Sequence, residues 1–210
     1  MNDGLLPLFP LELVLLPHEM IPLHIFEDRY KEMIGECLRL EAEFGVVQAR
    51  DNGIVRTGCT AVVTKVTERY EDGRMDILVR GMRRFRIIRL DTERSFVRAE
   101  VEYFWDEDRS AVDARLVREA QAAYLLYTQA LGKQTVQPDL DEPDLSFRLA
   151  AISMDLDFRQ FLLDLSSEQE RLTRTAEHLE RAARRKKIES AMKKTARSNG
   201  HGKHLGSLSE

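Results

Sequence analysis

The chain has 210 residues, of which 43% are hydrophobic and 32% charged, with a formal net charge of −4. That is a globular composition, which excludes fibrous and low-complexity classes and leaves room for one or two small domains. No stretch approaches the ~20 consecutive apolar residues that span a bilayer. The N-terminus lacks the basic start and unbroken apolar run of a secretory signal, so a cytoplasmic protein without membrane association is expected. Charge is uneven along the chain: from Arg181 to His204 there are nine Lys or Arg against one Glu, so the body is acidic and the end basic. Cys37 and Cys59 belong to no Cys-x-x-Cys pair and are expected as buried free thiols of a reducing compartment.

The segment LPLFPLELVLLPHEMIPLHIFEDRY, Leu6 to Tyr30, is apolar but carries Pro7, Pro10, Pro17 and Pro22. Proline fixes φ and lacks a backbone N–H, so this stretch is not one helix. It reads as extended chain: Pro7 and Pro10 suit a strand start, edge or bulge, Glu12–Leu16 a short strand, and Pro17–Pro22 a stiff loop. Extended chain then leads into a helix over Asp28–Glu43, whose apolar positions Tyr30, Met33, Ile34, Cys37 and Leu38 recur at helical spacing. Phe44–Ala49 is predicted to be a buried strand.

Cys59–Tyr70 is rich in β-branched residues. Asp72-Gly73 follows, the preferred chemistry for a tight hairpin, and Met75–Leu90 is the return strand. Gly81 within it suggests a bulge. Val97, Ala99, Val101 and Tyr103 alternate with Arg98, Glu100 and Glu102, a strand with one buried and one wet face. After Trp105 the periodicity becomes helical: Ala111–Leu131, a helix opened by Pro143, a short helix Phe158–Leu165 capped by Asp157, and a last helix opened by Ser167 and Glu170 as a capping box. Strands followed by helices argue for an α+β fold, with a β unit at 1–106, a helical unit at 107–194 and a disordered tail at 195–210.

Chemistry is sparse. GIVRTGCT, Gly53–Thr60, has the glycine spacing of a phosphate loop, but Cys59 stands where the lysine must be. There is no Gly-x-Ser-x-Gly elbow and no His-Glu-x-x-His. The five histidines are scattered, are expected to be solvated or singly hydrogen-bonded, and form no zinc-ligand set; His178 is placed on the wet side of the last helix. No catalytic residue, metal or cofactor is therefore expected. The run RGMRRFRIIR places Arg80, Arg84 and Arg86 on a wet strand face with Phe85 and Ile87 inward. Those arginines are solvated and paired with acidic neighbours, or else contact nucleic acid. The basic end of the last helix complements its dipole, or else meets an acidic partner or nucleic acid.

Four segments, LPLFPLELVLLPHEMIPLHIFEDRYKEMI, FGVV, DGRMDILVRGMRRFRI and FVRAEVEYF, together resemble the N-terminal domain of the ATP-dependent Lon protease family. LAAISMDLDFRQFLLDLSSEQERL is similar to the family's following helical segment, so the likeness covers about Leu5 to Arg185. It implies a PUA-like antiparallel β pseudo-barrel with one packed helix, then a helical bundle. It also implies a role in recognising unfolded substrates and supporting assembly, not in cutting. No ATPase or Ser/Lys peptidase module is expected here, as in stand-alone proteins built from this region alone. The expectation is a non-enzymatic module for exposed apolar segments of unfolded or client polypeptides, with an ATP-dependent protease as a further candidate partner. RNA is the alternative, because related PUA-like barrels often contact it. Leu16, Pro17, Met20, Ile21, Phe26 and Tyr30 are the candidate lining of an apolar groove; the competing reading makes them core. Oligomeric state is left open.

Overall fold

The computed structural model describes residues 4–108, 111–134, 139–140 and 142–199. Its fold is the expected α+β arrangement. The strands are β1 (Leu6–Leu11), β2 (Met20–Ile25), β3 (Phe44–Arg50), β4 (Gly53–Ile54), β5 (Thr57–Arg69), β6 (Met75–Asp91) and β7 (Arg98–Tyr103). Helix α1 (Asp28–Leu40) lies between β2 and β3; α2 (Ala114–Ala130), α3 (Leu145–Ala150), α4 (Leu156–Asp164) and α5 (Glu168–Asn199) follow the sheet. Pairing runs β1-β7-β6-β5-β3, and a parallel β1–β3 pairing closes the ring. The remaining pairs are antiparallel. Closure removes free edges from these five strands.

The 17-residue β6 organises the sheet. Its last part pairs with β7, from Phe85↔Tyr103 to Asp91↔Arg98, and its first part pairs with β2, from Met75↔Ile25 to Arg80↔Met20. The β2 side ends at Gly81, whose N–H donates to Glu19 O, and the β7 side begins at Phe85. A Cβ on Gly81 would lie 2.1 Å from the Leu16 carbonyl oxygen, so only glycine lets the Leu16 turn approach so closely. The β5–β6 ladder also shifts register between Cys59 and Ala61, which is the expected irregularity. Gly73 in the hairpin has φ +84°, the left-handed conformation that Asp-Gly turns require.

The principal core joins α1 residues Met33, Ile34 and Cys37 to Phe44, Ile77 and Val79 of the sheet, and to Phe147, Leu162 and Leu163 of α3 and α4. A smaller cluster, Leu6, Leu8, Val47, Phe85, Ile87 and Ala99, comes from strands alone. Ala120, Leu145, Leu149 and Leu172 pack α2, α3 and α5 together.

Several expectations are corrected. Glu12–Leu16 is not a strand; β1 is Leu6–Leu11, and Val14, Leu15 and Leu16 are buried in irregular chain that leads into the Pro17–His18 turn. Side chains replace the ladder there: the Arg159 guanidinium donates to Val14 O at 2.7 and 3.0 Å, and Leu16 N–H donates to Glu19 Oε2 at 3.0 Å. The loop after Pro17 ends at Glu19, so Pro22 stands within β2. Asp155, not Asp157, caps α4, accepting from Phe158 N–H at 3.0 Å. His178 is buried, not wet; its ring stacks on Phe158 with centroids 3.7 Å apart, and Nε2 lies 3.0 Å from Ser153 Oγ. The expected disordered tail, 195–210, overlaps α5, which runs to Asn199; the rest of it, with His201 and His204, lies outside the described residues. Both cysteines are free and buried as expected. Burial raises the Cys37 thiol to about 11 and pushes Cys59 up further.

Candidate functional site

Among the described residues β2 pairs with β6 on one side only, which leaves its other edge unpaired. Alternation along the strand turns Ile21, Leu23 and Ile25 toward the principal core and leaves Met20, Pro22 and His24 exposed. Gly81 N–H donates to Glu19 O at 2.9 Å. Bonded pairs in an antiparallel ladder alternate, so the odd residues of β2 bond to β6 and the even ones present their backbone outward. Pro22 therefore lacks its N–H on the open edge, where proline is tolerated.

Beyond the strand, Phe26 is 58% exposed and Met20 at the other end 44%. The His24 ring stacks on Phe26, centroids 5.9 Å apart, and meets Tyr70 of the β5–β6 hairpin at 6.0 Å. Asp76 fixes this group, with His24 Nδ1 2.5 Å from one carboxylate oxygen and Tyr70 O–H donating to the other at 2.7 Å. The His24 contact, then that of Tyr70, holds the Asp76 carboxyl below its ordinary range, and the hydrogen bond to Asp76 raises the Tyr70 phenol. The result is an ordered, exposed aromatic cluster.

At the Met20 end, His18 adopts a left-handed φ of 66°. Its N–H donates to Gly81 O at 2.8 Å, and its Nε2 lies 3.0 Å from Asp144 Oδ2. This turn forms one wall of a cleft of about 350 Å³ that also takes in Pro17, Met82, Phe104, Trp105 and Phe147. Trp105 is 63% exposed.

Behind the cleft, Asp106 sits between two buried arginines: Arg84 Nη2 is 2.6 Å from Oδ1, and Arg171 donates to both oxygens at 2.6 Å. Arg84 also reaches the carbonyls of Leu163 and Leu165. Arg171, 0% exposed, is bonded to Glu168 at 2.7 Å and lies over the Phe147 ring at 4.4 Å. Burial opposes the Arg171 charge, but the hydrogen bonds of Asp106 and the charges of Glu168 and Asp106 prevail and raise its pKa. For Arg84, burial and then neighbouring Arg171 prevail and lower it. Asp106, Asp144 and Glu168 would otherwise resemble a cation site; the Arg171 guanidinium, within 3.7 Å of all three, occupies the place of a cation, and Arg84 adds a second positive charge at Asp106.

The residues singled out from sequence are thus divided. Met20 and Phe26 lie on the surface, and Ile21 is half-buried against the core. Leu16 is 0% exposed and Tyr30 is buried beside Phe9, centroids 4.2 Å apart; these two are corrected to core residues. Pro17 is buried but contributes to the cleft wall. Of the three arginines, Arg80 and Arg86 are exposed, whereas Arg84 is corrected to a buried group tying β6 to the helical residues. Arg86 lies over the Phe104 ring at 5.0 Å. His24, Tyr70 and Trp105 were missed. The chain's one tryptophan, beside the acidic run Asp106–Asp108, was the available signal.

Among the described residues, no helix is long and apolar enough to cross a membrane. A Lon N-terminal domain protein from Xanthomonas campestris has a similar structure, with TM-score 0.64 and 27% identity over 80% of this chain and 95% of that one. The N-terminal domain of Mycobacterium avium complex Lon protease shares the fold, with TM-score 0.62 and 16% identity over 83% and 97%. Residues 5–181 match the family described as the ATP-dependent protease La (LON) substrate-binding domain. The closed sheet, its following helices and this match over most of the chain place the protein in the Lon substrate-binding domain family.

Proposed function

We propose that this protein is a non-enzymatic, cytoplasmic module that captures extended, apolar segments of unfolded or client polypeptides along the open edge of β2. The observation that carries this reading is the free edge itself, flanked by exposed Met20 and Phe26. A bound segment adds as a strand, accepting from and donating to the outward groups of Met20 and His24. Pro22 removes one donor, so pairing is weak and reversible, and two copies do not zip together along this edge. The cleft beside Trp105 receives an apolar or aromatic side chain of the same segment, because it adjoins the turn that opens β2. The family assignment supports a substrate-binding role, and an ATP-dependent protease is the natural acceptor of what is captured.

The test uses a reduced, alkylated protein that stays unfolded. Amide exchange at residues 20–26 is expected to slow on its addition, and Met20→Asp to weaken capture at least about tenfold, a loss of about 1.4 kcal/mol. Unchanged exchange at saturating partner would overturn the proposal.

A further inference from the structure

A second surface is unrelated to β2. Among the described residues the last buried position of α5 is Ala183, yet the helix continues to Asn199. The overhang is about 24 Å long at about 1.5 Å per residue. Where it leaves the bundle, Arg181, Arg184 and Arg185 converge with His178 and Asp155 around a pocket of about 420 Å³. Helical spacing carries the face of Arg181 and Arg185 on to Ile188 and Met192, one turn after another. All four are exposed. This face is therefore basic at the pocket and apolar beyond it, over about 16 Å of helix axis.

The pocket lacks anions of its own. Asp155 already accepts from Phe158 N–H as the α4 cap, and Arg184 has Glu180 at 3.5 Å. Arg181 bonds a backbone carbonyl, Glu177 O at 3.1 Å. Neither Arg181 nor Arg185 has a carboxylate within ion-pair distance among the described residues. The surplus acts on His178: burial first, with Arg185 and Arg181 acting against Asp155, holds its imidazole below the ordinary range.

We infer that this face docks an acidic amphipathic helix of a partner protein. Two carboxylates one turn apart on that helix meet Arg181 and Arg185, and two apolar side chains in its next turns cover Ile188 and Met192. Charge complementarity sets the sign of the partner, and planar guanidinium groups pair with carboxylates in a fixed geometry that holds the register. The partner is helical because α5 satisfies its own backbone. It offers no strand edge, so an extended segment would gain no main-chain hydrogen bonds here. Two overhangs laid together do not complete the site: from Arg184 to Asn199 the one carboxylate is Glu189, 3.5 Å from Lys186. A nucleic acid backbone meets no continuous track of cations, since Lys186, Lys187 and Lys193 fall on other faces. A membrane-surface helix needs a broad apolar face, whereas this stripe is one residue wide.

The experiment titrates the whole chain into a labelled synthetic peptide of about 18 residues built mainly of alanine and glutamine for helicity. It carries glutamate at i and i+4 and leucine at i+7 and i+11. A second peptide has the reverse order, because the partner helix can run either way. Micromolar binding of one of the two is expected, with a scrambled peptide of the same composition much weaker. Arg181→Gln/Arg185→Gln and Ile188→Ser/Met192→Ser should each weaken binding at least about tenfold, with wild-type circular dichroism. Arg181→Glu/Arg185→Glu should instead bind the peptide whose glutamates are replaced by lysine. Arg80→Gln/Arg86→Gln should bind like wild type. The inference is overturned if either α5 loss-of-contact variant binds like wild type, or if the scrambled peptide binds equally. Failure of both peptides also overturns it, whether phosphatidylserine vesicles, a nucleic acid duplex or a second copy engages the overhang instead. Met20→Asp should leave peptide binding unchanged, so failure here and failure of polypeptide capture at β2 are distinguishable.

Discussion

Leu13–Pro17 and Met20–Phe26 are neighbouring pieces of one apolar stretch, and they meet opposite fates. The first turns inward: Val14, Leu15 and Leu16 are sealed in the principal core, and their backbone is held by Arg159 and Glu19. The second is pinned to β6 by one edge and one face, leaving Met20, Pro22, His24 and Phe26 to solvent. Hydrophobicity does not separate them. What separates them is whether another element supplies partners for the backbone. Where α4 reaches in with a guanidinium, the chain can be buried without a ladder; where only β6 is available, half of the strand's hydrogen bonding faces outward.

The sharpest way to break this contrast is to remove Arg159. It is buried against Val14 O, Ala151 O, Ser153 O and the half-buried Glu19. Arg159→Ala strands that carboxylate and those carbonyls, and a loss of about 3–5 kcal/mol is expected, read as a fall in the denaturant midpoint. Leu16→Ala should cost about 2–5 kcal/mol by the same measurement, because its side chain is fully enclosed. Gly81→Ala is expected to cost about 1–3 kcal/mol, since a Cβ cannot sit 2.1 Å from Leu16 O without moving the turn; faster amide exchange over residues 18–21 would localise the effect. Met20→Asp and Phe26→Ser should change stability by no more than about 0.5 kcal/mol, as surface substitutions do, yet abolish most capture of unfolded protein. A large stability loss from either would mean that β2 is structural rather than a docking edge.

The smallest effect concerns pH. His18, then the charges of Arg171 and Arg84 acting against burial, hold the Asp144 carboxyl below its ordinary range. A depressed folded-state value contributes stability that is present above about pH 4, the unfolded aspartate range, and is lost as pH falls through the folded value. Asp144 is 40% exposed, so Asp144→Asn should change stability by less than about 1 kcal/mol at neutral pH. It should flatten the acid limb of the stability profile measured by urea titration.

Much of the architecture was legible from local patterns. The α1 stripe Tyr30, Met33, Ile34 and Cys37 is the buried face observed, because helical spacing alone decides which side chains share a face. The Asp72-Gly73 turn and the alternation through β7 were readable for similar reasons. Glu12–Leu16 failed because its β-like composition is satisfied by a distant arginine. Arg84 failed because period-two alternation assumes that one face is wet along its whole length, and here the end of α4 and Asp106 cover that face at Arg84 while Arg86 stays exposed. His178 failed because Phe158, twenty positions earlier, closes over it. The candidate site was half legible: Met20 and Phe26 came from the sequence, but the cluster of His24, Tyr70 and Asp76 joins residues that only the β2–β6 register brings together.

Sequence by itself determined the order of strands and helices, the family resemblance and the basic end, since these rest on residue types and spacings within a few turns of chain. Tertiary structure decided which apolar residues are core, which arginines are buried and where an edge stays open. Those outcomes depend on which distant backbone groups and charges are brought within hydrogen-bonding distance, and local sequence holds no record of that.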